Sequence, residues 1–107
     1  MESGALRTML IRLEYNGRII HEIRSAAISG EIVIGRSHAC TWQVPKEESV
    51  CSSQHAALFL KGKTVWLKDL ESTNGTFHNG KRIVKKKLAV GDKIGIDRQD
   101  VLDAGRI

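Results

Sequence analysis

Apolar and polar residues alternate along this chain in short runs separated by turn residues. Leu10 to Tyr15 alternates loosely, Asn16-Gly17 follows, and Arg18 to Ile23 resumes the alternation. Asn-Gly between two such runs predicts a tight hairpin, because both central residues must take positive φ. Glu31 to Ile34 is a β-branched run that Gly35 ends, and Thr41 to Val44 is a shorter one stopped by Pro45. Gln54 to Leu60 and Thr64 to Leu70 pair around Lys61-Gly62-Lys63, with Trp66 and Leu67 expected in the core or on a sheet face. Thr76 to His78 and Lys81 to Ile83 flank Asn79-Gly80, a second hairpin signal. Leu88 to Ile96 contains a Gly91-Asp92 turn followed by a strand, and Asp97 to Ile107 reads either as one more strand around Val101-Leu102 or as the cut end of a longer protein. No window sustains a helical period over three turns. The pattern predicts an all-β protein, a sandwich or a barrel.

A length of 107 residues suits one domain with one core, expected to span 1–107. With 41% hydrophobic and 27% charged residues, the composition excludes a disordered or collagenous chain. One proline and scattered glycines leave no linker or low-complexity tract. No segment is apolar over the length a bilayer requires. Residues 1–13 are too interrupted by Glu2, Arg7 and Arg12 for a secretory leader, so an intracellular protein is expected. Cys40 and Cys51 do not form a disulfide framework; they are expected as reduced thiols, with a redox-sensitive pair as the alternative.

The net charge of +5 favours an anionic partner without naming it. Lys81, Arg82, Lys85, Lys86 and Lys87 concentrate this charge in one stretch. A solvated sheet edge kept charged against aggregation accounts for such a run. Nucleic-acid binding is the competing reading, but no reader motif is visible, and most of Tyr15, Trp42, Phe59, Trp66 and Phe77 are expected to be buried.

The candidate chemistry lies elsewhere. Arg36 follows a strand and a glycine, so it emerges at a sheet end, where guanidinium offers a rigid fork of donors matched to phosphate oxygens. Ser52 and Ser53 add hydroxyls, and Thr73 and Asn74 add a hydroxyl and an amide able to accept from and donate to an extended peptide. These are the parts of a phosphopeptide-recognition site. Taken singly, each also has a local role: an ion pair for Arg36, backbone caps for the serines, a plain turn for Asn74-Gly75. His55, opening a strand, reads as a structural hydrogen-bonder. His38, Cys40, Cys51 and His78 do not follow a zinc-ligand spacing. No nucleophile has a credible base and orienter, so neither an enzyme nor a cofactor is expected.

Gly35-Arg36, then Ser52-Ser53-Gln54-His55-Ala56, then Ser72-Thr73-Asn74-Gly75-Thr76 and Asn79-Gly80 together resemble the forkhead-associated (FHA) domain family. Leu67-Lys68-Asp69-Leu70 and Val90-Gly91-Asp92-Lys93-Ile94 extend the resemblance over about 32–96. It implies a β-sandwich of about eleven strands in two sheets, with loops at one end that bind a phosphothreonine-bearing protein or peptide. By matching positions it implies Arg36 and Ser52 on the phosphate, Ser53 and Thr73 lining the pocket, and Asn74 on the peptide backbone. Gly35, His55 and Gly75 would support the site. The family's preference for phosphothreonine over phosphoserine comes from the threonine methyl group. The sequence departs from the family at Ser53, where Arg or Asn is common. It departs again at Val50, where an Arg often helps choose the residue three after the phosphothreonine. An FHA-like scaffold binding without phosphate is therefore the alternative function. The family also leads one to expect further domains in a longer parent chain.

Overall fold

The computed structural model describes residues 9–15, 18–78, 81–90, 92–96 and 99–105. Among them eleven strands form two sheets. In chain order these are β1 (Leu10–Tyr15), β2 (Arg18–Arg24), β3 (Glu31–Gly35), β4 (Trp42–Gln43), β5 (Ala56–Lys61) and β6 (Thr64–Asp69). Then follow β7 (Thr76–His78), β8 (Lys81–Ile83), β9 (Lys85–Lys87), β10 (Asp92–Ile96) and β11 (Gln99–Gly105). A single 3-10 turn, Ser25–Ala27, separates β2 from β3. The six-stranded sheet runs β2-β1-β11-β10-β7-β8 and the five-stranded sheet β4-β3-β5-β6-β9. Every neighbouring pair is antiparallel except β3 and β4.

The alternation read from the sequence is the alternation of burial. Ile11 and Leu13 of β1 face Ile32 and Ile34 of β3, Leu58 of β5, and Val65 and Leu67 of β6 in one cluster closed by Trp42, Val44 and Leu88. Full burial of a side chain such as Leu58 or Leu67 contributes roughly 1.5–3 kcal/mol. Across one open side, His21 of edge strand β2 stacks on Trp42 of edge strand β4 at 5.5 Å and an interplanar angle of 9°. The same ring bonds the Gln43 carbonyl at 3.0 Å, so the two sheets are joined there.

The expected strands occur with shifted ends. The strand expected from Gln54 begins at Ala56, although the backbone of His55 still bonds Ile34 and Leu70. The strand expected over Thr41 to Val44 shortens to Trp42–Gln43. Asp92 opens β10 rather than sitting in a turn. The Asn16-Gly17 and Asn79-Gly80 turns and Gly91 fall outside the described residues, although Tyr15 pairs with Arg18 and His78 with Lys81 across the two hairpins. The strand expected around Val101-Leu102 is β11, which fills the gap between β1 and β10.

The basic stretch supplies two edges. β8 ends the six-stranded sheet and β9 ends the five-stranded one, with Val84 between them. Lys85 lies over the rings of Phe59 and Trp66, and Lys68 over Phe59. Lys68 also pairs with Glu31 at 2.6 Å. Such exposed contacts contribute about 0–1 kcal/mol each.

Candidate functional site

Three loops meet at one end of the sandwich: 36–41 after β3, 44–55 between β4 and β5, and 70–75 between β6 and β7. The first two are pressed together at Gly35. A Cβ there would strike the carbonyl oxygen of Ser53 and stand 2.9 Å from Cα of Gln54. That close approach lets the N–H of Arg36 donate to the Ser52 carbonyl at 3.1 Å and the N–H of Ser37 to the Ser53 carbonyl at 3.0 Å.

The Arg36 side chain then turns along the second loop. Its Nε donates to the Cys51 carbonyl at 2.5 Å and its Nη1 reaches the Lys46 carbonyl at 3.4 Å. Both partners are neutral, and among the described residues no carboxylate pairs with this guanidinium. The group is thus held in place with no ion-pair partner among the described residues and with N–H donors to spare.

The third loop is organised by Asp69 at the end of β6. Its carboxylate accepts from the Ser72 N–H at 3.1 Å, the Ser72 hydroxyl at 2.5 Å and the Thr76 hydroxyl at 2.7 Å. Ser72 Oγ in turn accepts from the N–H of Gly75 at 3.0 Å. The tight path requires positive φ at Glu71 (56°) and Gly75 (97°), of which only glycine takes the latter without strain.

Cross-links join this loop to the second. The Thr73 N–H donates to Ser52 Oγ at 3.0 Å, and Asn74 Nδ2 donates to the Val50 carbonyl at 2.8 Å. His55, fully buried, accepts the Ser52 N–H at Nδ1 (3.0 Å) and contacts the Gly75 carbonyl through Nε2 (2.8 Å). Since Nδ1 accepts, the ring proton belongs on Nε2, which donates to Gly75; the bonding pattern selects this tautomer.

Arg36, Ser52, Ser53, Thr73 and Asn74, far apart in sequence, therefore come from loops gathered at one place. Thr73 and Ser53 are exposed, and Arg36, Ser52 and Asn74 half-buried. Asn74 spends one amide hydrogen inside the protein, on Val50, and retains a second hydrogen and its carbonyl. Val50 packs its side chain against the core and offers the loop its carbonyl. Sequence reasoning missed Asp69 as organiser of the third loop. An Asp three positions before a Ser is a recognisable local turn signal. It also missed the carbonyls of Lys46 and Cys51, which no residue type announces.

Cys40 and Cys51 are both buried and free. Cys40 Sγ donates to the Ser53 carbonyl at 3.1 Å, beneath the loop. Burial pushes the Cys40 thiol above its usual range, the Ser37 hydrogen bond opposing it. Burial pushes Cys51 up to about 11, with the Arg36 cation pulling the other way. Neither is a thiolate nucleophile at neutral pH. Among the described residues no group of three or more His, Cys, Asp or Glu could hold a metal ion.

Comparison with known proteins agrees with this architecture. The chain is 31% identical over 103 residues to the ABC transporter ATP-binding/permease protein Rv1747 of Mycobacterium tuberculosis, covering 96% of this chain and 11% of that protein. It therefore spans about a tenth of the length of that curated relative. The FhaA FHA domain, solved in complex with the intracellular domain of Rv3910, superposes with a TM-score of 0.70 at 26% identity. That match covers 88% of this chain and 98% of that one. A domain solved in a study of phosphothreonine-dependent FHA domain interactions superposes with a TM-score of 0.73 at 23% identity, covering 94% and 99%. The FHA domain profile matches residues 32–97, and the chain belongs to the FHA domain family.

Proposed function

We propose that this chain is a recognition module for phosphothreonine in a protein partner, with Arg36 and Ser52 on the phosphate. Ser53 and Thr73 complete the pocket, and the free hydrogen and carbonyl of Asn74 bond the backbone of the bound segment. Gly35, His55 and Gly75 support the loops. The observation that carries this reading is the guanidinium of Arg36, anchored by two carbonyls and without an ion-pair carboxylate among the described residues, beside loops tied by the Thr73 N–H on Ser52 Oγ. A phosphothreonine brings about −1.5 to −2 charges to such a place. Each charge-assisted hydrogen bond it forms contributes roughly 1.5–3 kcal/mol net, and unphosphorylated threonine forms none of them. Two such bonds discriminate by a hundredfold or more. Because the loops are already cross-linked, little ordering is lost on binding. The solved relatives include an FHA domain complexed with the intracellular domain of another protein and one from a study of phosphothreonine-dependent FHA domain interactions, which supports the same class of partner.

Calorimetric titration of matched peptides carrying phosphothreonine, phosphoserine or threonine tests the reading. The phosphothreonine peptide is expected to bind, the phosphoserine peptide more weakly and the threonine peptide at least a hundredfold more weakly. Equal binding of the threonine and phosphothreonine peptides overturns it.

A further inference from the structure

A second guanidinium lies against the third loop. Arg82 belongs to β8, and its register partner is Phe77 of β7. Its side chain reaches back to Gly75: Nε, Cζ and Cδ lie 2.7, 3.0 and 3.2 Å from where a Cβ of Gly75 would stand. Gly75 is the residue after Asn74, and its own backbone bonds go to Ser72 and His55, so its position in the loop is fixed. Arg82 is exposed, and among the described residues it makes no ion pair. The 70–75 loop is thus tied at Thr73 to the loop whose carbonyls hold Arg36, and is touched at Gly75 by Arg82; among the described residues neither guanidinium has an ion-pair partner.

We propose that Arg82 forms a second anion subsite, which takes an acidic group of the bound segment a few residues from the phosphothreonine. This rests on the phosphothreonine reading above and deepens it. The chemistry it fits is a planar carboxylate or a second phosphate, either of which a guanidinium grips through two parallel hydrogen bonds. Among the described residues no carboxylate pairs with this charge, and its neighbours Lys81 and Lys85 add to the positive field along the same segment. Position 50 cannot supply this selectivity, since Val50 is apolar and packs inward. Glycine at position 75 has a further consequence: any side chain there would displace Arg82 from the loop.

The test is fluorescence anisotropy with a phosphothreonine peptide flanked by alanines, and with variants carrying a single aspartate at each flanking position in turn. Wild-type protein is expected to gain about three- to fivefold in affinity when the aspartate stands at one particular position. Phosphoserine is tested at the same position: a gain with both groups is expected of a fork that takes either anion, and a gain with only one identifies that group as the source. Arg82→Gln should lose the gain while binding the all-alanine phosphopeptide within about twofold of wild type, and Arg82→Lys should keep part of it. A melting temperature unchanged in Arg82→Gln ties the effect to recognition. If no aspartate position gains, or if Arg82→Gln keeps the gain, the Arg82 assignment is overturned while binding of the all-alanine phosphopeptide leaves the phosphothreonine reading standing. If wild-type protein binds none of the phosphothreonine peptides, both fall together.

Discussion

The N–H of Thr73 rests on the hydroxyl of Ser52, 3.0 Å away and 21 positions along the chain. One atom, Ser52 Oγ, therefore both joins two loops and, in the proposed complex, faces the phosphate. Ser52→Ala is expected to lower stability by about 1 kcal/mol, the value of one net hydrogen bond, and to weaken phosphothreonine-peptide binding at least tenfold. A thermal melt and a titration on the same preparation check both effects.

Arg36 separates fold from function more cleanly. Its side-chain partners are two loop carbonyls at the surface end of the sandwich. Arg36→Ala is expected to fold, with a melting temperature within a few degrees of wild type, and to lose phosphopeptide binding by a hundredfold or more. Arg36→Lys keeps the charge without the fork and should fall between the two. Retention of wild-type affinity in Arg36→Ala would place the anion elsewhere.

His55 is the reverse case. Fully buried, it bonds Ser52 N–H and Gly75 C=O from opposite sides of one ring. Its removal leaves the buried Gly75 carbonyl and the half-buried Ser52 N–H without this partner, and a void. His55→Ala is expected to cost about 2–4 kcal/mol, read as a lower urea midpoint with an unchanged slope. An unaltered midpoint with binding abolished would make this histidine a ligand-contacting residue instead.

Gly35→Ala sets a methyl group against the Ser53 carbonyl, whose segment is pinned by hydrogen bonds from Arg36 and Ser37. Overpacking of this kind costs about 1–3 kcal/mol. The displaced 52–54 segment should also weaken binding, whereas Gly62→Ala, where a Cβ meets open space, should affect stability alone through its positive φ. Comparing the two variants by melting and titration tests the contact.

Cys51 gives the alkaline limb of stability. Burial holds its thiol protonated up to about 11 in the folded protein, whereas the exposed thiol of the unfolded chain ionises near about 8.5. Between those values the unfolded state has released a proton that the folded state still binds, so stability falls as pH rises; below the lower value there is no effect. Cys51→Ala removes this contribution. The gap between wild type and variant in urea midpoint is expected to narrow from pH 7.5 to pH 10.5. A gap that stays constant would deny the thiol its part.

Much of this fold was legible because burial leaves a period of two in the sequence. Ile11 and Leu13, Ile32 and Ile34, and Val65 and Leu67 enter the core from alternate positions of their strands. β9 escaped notice for the same reason inverted. Lys85, Lys86 and Lys87 are all exposed, so no alternation marks them, and the strand exists through its backbone pairing with β6. The side chains gathered at the site were readable as residue types with the right chemistry. What holds them was not: Arg36 and Asn74 are fastened to carbonyls of Cys51, Lys46 and Val50, and a carbonyl is present at every position. Arg82 read as one more cation in a basic run, and only the hairpin that returns β8 alongside β7 brings it back to Gly75.

The crossing from β8 to β9 takes a single residue, Val84, which is 81% exposed, so one short lysine-rich segment guards one open edge of each sheet. Acetylation of Lys81, Lys85, Lys86 and Lys87 would strip the like-charge repulsion from both rims together. A change confined to seven consecutive residues would thus leave one rim of each sheet unguarded at the same time.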